Sequence, residues 1–142
     1  MSSETAAAFQ WVASTMQADT ALMAAATGGV WNGTADIGTA PPFASFGRQS
    51  GIDVTTMTKV RLWAEILLQI KAVGPNSGYA ALVIIANRID ELFKDRRNVG
   101  LPSGGILACY REQELAYEEP SLINGVAWSN LGGLYRIELM GS

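Results

Sequence analysis

Residues 58–73 read TKVRLWAEILLQIKAV, and this stretch decides the fold. Its even-numbered positions from 60 to 72 are all apolar, whereas most of its odd-numbered positions are charged or polar. A period of two places the first set on one face of a β-strand and the second set on the other. We therefore predict one long strand with one face in the core. Its second face is mixed, because Trp63 and Leu67 lie among the charged residues.

Helices are predicted on both sides of this strand. Upstream, residues 4–26 are rich in alanine, a strong helix former, and Asp19 is expected to restart the helix after a short kink. Downstream, residues 77–97 repeat apolar side chains every three or four positions, as one buried helical face does. The positions that predict the two buried faces are Phe9, Val12, Ala13 and Met16, and then Leu82, Ile85, Ile89 and Leu92.

Residues 28–58 are punctuated by glycine and proline, which predicts a long loop or an extended arm. Only residues 43–48 are typical of a short strand, and the prolines at 41 and 42 favour an edge position for it. A loop of this length is unusual in a compact domain and is often functional.

The C-terminal third predicts a β-hairpin. A strand over residues 106–119 is followed by the turn signal Asn-Gly at 124–125, and then by a return strand that Gly-Gly at 132–133 bends or bulges. The element order predicts one α+β domain over residues 1–142. We expect a small, mainly antiparallel sheet, with two helices packed on one face and an extended arm after the first helix.

The composition excludes several classes of function. The chain has no histidine and one cysteine, which removes the usual Ser-His-Asp and Cys-His nucleophile systems, histidine metal sites and an intramolecular disulfide. Its net charge is −3 and it has no Lys/Arg-rich run, so we do not expect it to grip DNA phosphates. Neither a signal peptide nor an apolar run of the roughly 20 residues that span a bilayer is visible, which predicts a protein of the cytosol. We expect no enzyme, no metal and no cofactor.

Four glutamates cluster on the predicted strand 106–119: Glu112, Glu114, Glu118 and Glu119. Two carboxylates can do acid–base chemistry when their environments separate their pKa values. Residues on one exposed strand more often form a solvated or interface edge, and we favour that interpretation. Cys109 has no histidine to activate it, so we interpret it as a small buried hydrophobe.

Aromatic residues in the Gly/Pro-rich segment allow two interpretations. Trp31, Phe43 and Phe46 either fold back as a satellite of the core or serve as interface anchors, since aromatic residues and arginine concentrate at binding hot spots. The same role is open to three further residues, Arg48, Arg61 and Trp63.

The C-terminal strands resemble the tail terminator (tail completion) proteins of long-tailed bacteriophages. The residues that carry the resemblance are Cys109-Tyr110-Arg111-Glu112, Tyr117-Glu118-Glu119, Gly125 and Leu131-Gly132-Gly133-Leu134-Tyr135-Arg136-Ile137. The order of elements before them also fits: a helix that ends in Gly28-Gly29-Val30-Trp31, a Pro-Phe segment, one long strand and one helix. The resemblance covers almost the whole chain, as element order and scattered residues.

This resemblance implies a virion protein that catalyses nothing and is assembled in the host cytoplasm. Tail terminators form a hexameric ring on the last ring of the tail tube, stop its polymerisation and present their upper face to a head-side connector or stopper protein. DNA passes through the lumen without specific binding. Closed rings need two different contact patches on each subunit. We expect the arm at 31–51 to meet the exposed face of strand 58–73 on the next subunit, with the acidic strand as a further contact.

Three alternatives remain open. Another neck ring protein, such as a head-completion or connector-stopper protein, shares the same kind of mechanism. A small enzyme would need a concave pocket with a strained carboxylate pKa near residues 112–119. A monomeric α+β adaptor would bind a peptide along an edge strand.

Overall fold

The computed structural model describes residues 3–33, 35, 38–55, 61–101, 104–120 and 127–140. A 3-10 turn over Asn76–Gly78 precedes the last helix. The helices are α1 (Ser3–Ala18), α2 (Thr20–Ala25) and α3 (Tyr79–Phe93), and the strands are β1 (Val30–Asn32), β2 (Phe43–Thr55), β3 (Arg61–Pro75), β4 (Asp95–Gly100), β5 (Gly105–Pro120) and β6 (Ala127–Met140).

The strands of the described residues form one six-stranded mixed sheet that curls into a half-barrel. Their order is β1-β2-β3-β6-β5-β4, and every neighbouring pair is antiparallel except β1 and β2. The predicted α+β class is therefore confirmed in part. The sheet is mainly antiparallel, as expected, but it is larger than the small sheet that the sequence suggested.

Strand β3 lies between β2 and β6, at the centre of the sheet. Its even-numbered residues from Ala64 to Ala72 are buried as predicted, and Leu68 and Ile70 are 0% exposed. Burial of such a side chain is worth about 1.5–3 kcal/mol, so this face fixes the strand in the core. The first residues of the predicted strand, 58–60, lie outside the described residues.

The helices supply the other half of the core. The helix break predicted at Asp19 is confirmed, because Asp19 separates α1 from α2 and its carboxylate accepts a hydrogen bond from the backbone N–H of Leu22 at 2.9 Å. Trp11 of α1 stacks edge-on against Phe93 of α3, with ring centroids 5.5 Å apart. Phe93 in turn contacts the Tyr135 ring of β6 at 6.0 Å, so both long helices share one core with the sheet.

Helix α3 is shorter than predicted. It ends at Phe93, and Arg96 and Arg97 lie on β4 instead of the last helical turn. Pairing of β4 with β5 gives the backbone of these residues hydrogen-bond partners on one side, and that tertiary pairing overrides the local helix propensity. Asp90 of α3 accepts a hydrogen bond from the Tyr135 hydroxyl at 3.1 Å.

The strand predicted at residues 43–48 is confirmed, and the prediction of an extended arm was wrong for residues 49–55. Residues 43–55 form one strand, β2, which pairs with β3 along its length. Its glycines Gly47 and Gly51 pair regularly with Gln69 and Ile66. A register shift between Arg48 and Ser50 absorbs one extra residue. The short strand β1 then pairs in parallel with the start of β2, so the predicted edge position was also wrong there.

The predicted hairpin of β5 and β6 is confirmed as an antiparallel pair, while its turn at 124–125 lies outside the described residues. Strand β6 runs continuously through Gly132 and Gly133, and the irregularities lie in β5 instead. Gly132 is needed for close approach, because a Cβ atom there would lie 2.1 Å from the Ile70 carbonyl oxygen.

Candidate functional site

The sheet has a covered face, which packs against the helices, and an uncovered face, which points away from them. Odd-numbered β3 residues lie on the uncovered face, and register places the even-numbered β6 residues beside them. The described side chains of this face that carry charge are Glu65, Lys71, Asp95, Arg97, Glu112, Glu119, Arg136 and Glu138. Acidic groups outnumber basic ones there.

Arg136 is the centre of an ion-pair network on the uncovered face. Its guanidinium donates two hydrogen bonds of 2.9 Å to the Glu112 carboxylate and one of 3.3 Å to Glu65. Glu112 reaches this face because it is the extra residue of a bulge: Arg111 pairs with Tyr135, and Gln113 already pairs with Leu134.

This network decides the protonation state of Glu112. The hydrogen bonds from Arg136 lower the pKa of the Glu112 carboxyl, and they raise the pKa of Arg136. A carboxylate held ionised in this way is the opposite of a general acid, which needs a raised pKa. The geometry of Glu112 therefore favours a structural or interface role.

Lys71 forms the second polar contact of the uncovered face. Its ammonium group donates a hydrogen bond of 2.5 Å to the Tyr117 hydroxyl, which links β3 to β5 across β6. Gly132 of β6 lies between β3 and β5 beside Lys71. Because glycine has no side chain, the Lys71 side chain can pass over β6 to reach Tyr117.

Three aromatic residues singled out in the sequence contact their own chain. Phe46 is 4% exposed on the covered face and meets the Phe9 ring at 5.6 Å. Phe43 is 8% exposed and lies 6.2 Å from the Trp128 ring. The Trp31 indole donates a hydrogen bond of 2.8 Å to the Gly28 carbonyl. Their position agrees with the core interpretation, and their role in an assembly remains a prediction.

The other candidate residues are more accessible. Arg48 is exposed, and its guanidinium lies 3.2 Å from the Thr5 hydroxyl. Trp63 is half-buried on the uncovered face, and among the described residues no group accepts a hydrogen bond from its buried indole N–H. Arg61 begins β3, and its side chain lies outside the described part of the structure. Glu114 and Glu118 are exposed on β5.

The short outermost strands β1 and β4 each leave part of the next strand uncovered among the described residues, a feature that sequence analysis missed. Strand β4 pairs with β5 only from Gly105 to Tyr110. Residues 111–120 of β5 therefore have no partner strand on that side in the part of the chain that the structure describes. Strand β1 pairs with β2 only from Ala44 to Phe46. Residues 47–55 of β2 likewise have no partner strand on that side among the described residues. We call these segments the β5 edge and the β2 edge. Open edges carry free backbone donors and acceptors and are sites of association.

A groove runs beside the β5 edge, between that strand and α3. Its volume is about 130 Å³, and its walls include Tyr79, Val83 and Ala86 of α3 and Arg111 and Ala116 of β5. Tyr79 is 51% exposed, which is high for a large aromatic side chain. The groove therefore adds apolar surface to an edge that already offers backbone hydrogen bonds.

Cys109 is a buried side chain, as the sequence suggested. It is 1% exposed, and its thiol donates a hydrogen bond of 3.3 Å to the Phe93 carbonyl. Burial raises the pKa of the thiol to about 12, so the reactive thiolate is scarce at neutral pH. Among the described residues, no three Cys, Asp or Glu side chains lie together as metal ligands do. No described helix has the length and apolar character needed to cross a membrane.

These features define a class of protein: an α+β domain with a curled, mainly antiparallel sheet, one helix-covered face and two open edges. The chain is similar in fold to a chain in the virion of a native gene transfer agent (GTA) particle, with a TM-score of 0.65 over 92% of each chain. The two sequences are 16% identical, so the likeness is one of fold. No protein-family model and no curated protein match the sequence.

Proposed function

We propose that this chain is a structural virion protein whose copies form a ring, hexameric in number, on the end of a phage tail tube. The ring ends tail polymerisation and joins the tail to the connector or stopper protein on the head side. The observation that carries the proposal is the shared fold with a chain of the GTA virion particle over 92% of both chains. The residue resemblance at 109–137 to tail terminator proteins supports the same role.

The two open edges favour a ring over a symmetric dimer. A closed ring uses heterologous contacts, in which one patch of each subunit meets a different patch of the next. The β2 edge and the β5 edge are different in sequence and lie toward opposite sides of the sheet. They meet this requirement without any rearrangement of the fold.

The charge of the uncovered face is compatible with a lumen that DNA crosses. Its described carboxylates, such as Glu65 and Glu138, outnumber its basic groups Lys71, Arg97 and Arg136. Arg97 is paired with Asp95, and Arg136 is paired with Glu112. Phosphates bind proteins through free Lys and Arg, so such a wall would let DNA slide. In this proposal the chain has no catalytic role and binds no cofactor.

The mass of the particle in solution tests the proposal. Light scattering on the purified chain, alone and after addition of tail tubes polymerised from the tube protein of the same genome, should give a ring in at least one of the two conditions. A chain that remains monomeric at high concentration and leaves the tubes uncapped would refute the ring and favour a monomeric adaptor.

A different neck ring protein is the second candidate, because the fold likeness does not distinguish between components of a virion. Binding to purified tail tubes, compared with binding to DNA-filled heads, separates the two. A terminator binds tubes without heads, whereas a head-completion protein binds heads without tubes. Tube length after polymerisation in the presence of the chain gives a second readout, since only a terminator stops growth.

A further inference from the structure

The two open edges are complementary to each other. We propose that the β2 edge of one copy pairs with the β5 edge of the next copy, so that the sheet continues from subunit to subunit. This inference rests on the proposed ring and names the contact that closes it. Its occupant is therefore a second copy of this chain.

Strand direction agrees with this pairing. Strand β2 is antiparallel to β3, β3 to β6 and β6 to β5, so β2 and β5 run in opposite directions within one chain. Rotation about a ring axis leaves the direction of a strand along that axis unchanged. A β2 edge placed against the β5 edge of a neighbour therefore forms an antiparallel pair, which is the commoner kind.

The two edges differ in charge, because residues 111–120 have four acids and one base whereas residues 47–55 have one of each. Arg48 pairs with Leu68, and Glu114 and Glu118 pair with Gly133 and Ser129, which places all three charged residues on the covered face. All three are exposed at their edge. In a continuous sheet the guanidinium of one copy lies on the same face as the carboxylates of the next.

The same charges disfavour the alternative pairing of two identical edges. Two β5 edges would bring their glutamates together, and like charges on facing strands are destabilising. Acidic residues on an edge strand are a common device against unwanted self-association. Here they still allow association with an edge that has few acids, and within residues 47–55 the sequence has one acid, Asp53, and one base, Arg48.

The groove beside the β5 edge has room for side chains of the incoming strand. Alternate residues of an added strand project onto the covered face, where the groove lies between β5 and α3. They would cover Tyr79, which is 51% exposed in the free chain. Strand addition thus combines backbone hydrogen bonds with burial of an exposed aromatic side chain.

Cross-linking between engineered cysteines tests the contact on the full chain. Gln49→Cys on β2 is combined in turn with Glu114→Cys and Glu118→Cys on β5, and a short bis-maleimide is added with and without tail tubes. All three positions are exposed, whereas Cys109 is 1% exposed and stays unreactive. Gln17→Cys combined with Glu118→Cys is the matched control, since Gln17 is exposed on α1, away from both edges.

Each outcome separates the inference from the proposed ring. Rings that cross-link through Gln49→Cys, but not through the control, support both. Rings without that cross-link overturn the edge pairing and leave the ring intact. Open, cross-linked chains of subunits support the pairing and refute the ring, and the absence of both refutes both. Cross-linking of Glu118→Cys alone, or only to tube protein, assigns the β5 edge to another occupant and overturns the inference.

Charge exchange gives an independent readout. Arg48→Glu alone and Glu118→Arg alone should each weaken association about five-fold, the order expected for one exposed ion pair. The combination of both substitutions should restore it. Glu114→Arg replaces Glu118→Arg in a parallel series, and the pair that restores association identifies the register. Restoration in neither series, together with absence of the cross-link, overturns the pairing.

Discussion

At the scale of single residues, Asp19 has three structural roles. It separates α1 from α2, accepts the hydrogen bond from the Leu22 N–H, and receives two hydrogen bonds from the Arg88 guanidinium at 2.6 and 2.7 Å. These contacts, led by the hydrogen bonds from Arg88, lower the pKa of Asp19 below its usual value of 3.8. These contacts link the junction of α1 and α2 to Arg88 of α3.

We expect Asp19→Ala to cost about 1 kcal/mol for the lost N-cap, and more for the broken ion pair. Asp19→Asn is the matched control, because it keeps the cap and loses the charge. A lowered folded-state pKa gives stability that is present above pH 3.8 and is lost as the pH falls through that lower value. Chemical denaturation from pH 7 to pH 2 should therefore show the gap between wild type and Asp19→Asn closing in acid. A gap that stays constant would contradict the ion pair.

Gly132 is required because β6 passes close to β3 at this residue. A methyl group there would overlap the backbone, with Ile70 O at 2.1 Å and Lys71 Cα at 2.6 Å from the added atom. Gly132→Ala should therefore destabilise the chain by several kcal/mol, about the cost of forcing backbone apart in a packed core. Gly47→Ala on β2 is the control, since a Cβ atom there has nothing within 4 Å. Equal unfolding temperatures for the two variants would refute this prediction.

At the scale of elements, the bulge at Glu112 sets which face each end of β5 presents. Deletion of Glu112 should leave a regular pair, because Arg111 and Gln113 already face consecutive residues of β6. Deletion of Gln69 in β3 should instead unfold the chain, since it moves half of a central strand to the wrong face. Circular dichroism and thermal unfolding of the two deletions measure this difference. Similar stability of the two would show that the bulge does not fix the register.

The elements β3 and α3 show where prediction from the sequence succeeded and where it failed. The alternation in β3 is strong because a strand buried on one face must repeat with period two, and its predicted core positions from Ala64 to Ala72 are buried. The end of α3 was misplaced because Lys94, Asp95, Arg96 and Arg97 suit a helix end as well as an exposed strand. Only the partner strand β5 decides between them.

At the scale of the whole molecule, folding and assembly can be separated by two aromatic residues. Phe46 is buried against Phe9, so Phe46→Ala should lower the free energy of unfolding by about 3–5 kcal/mol. Trp63 lies half-buried on the uncovered face with an unpaired indole N–H, so Trp63→Ala should cost less stability.

The sequence-based hypothesis that Trp63 is an interface anchor, a contact that the edge pairing does not require, predicts that Trp63→Ala reduces ring formation while the chain stays folded. Light scattering measures the ring, and thermal unfolding of the dilute chain measures the fold. Trp63→Phe is the control, because it keeps an aromatic ring and removes the N–H. An intact ring from Trp63→Ala would remove this residue from the interface. Loss of folding as severe as that of Phe46→Ala would show that Trp63 belongs to the core.

The sequence by itself determined the central strand, the helix break at Asp19, the hairpin of β5 and β6, and the burial of Cys109. Each of these depends on a local period, a cap or the chemistry of one side chain. Only the tertiary structure decided that the strand begun at residues 43–48 continues to residue 55, that Phe43 and Phe46 are buried, and that two edges stay open among the described residues. The physical reason is that strand pairing joins residues far apart in the chain. Whether a Gly-rich segment finds such a partner, and how far each partner extends, depends on the neighbouring strand and not on the segment itself.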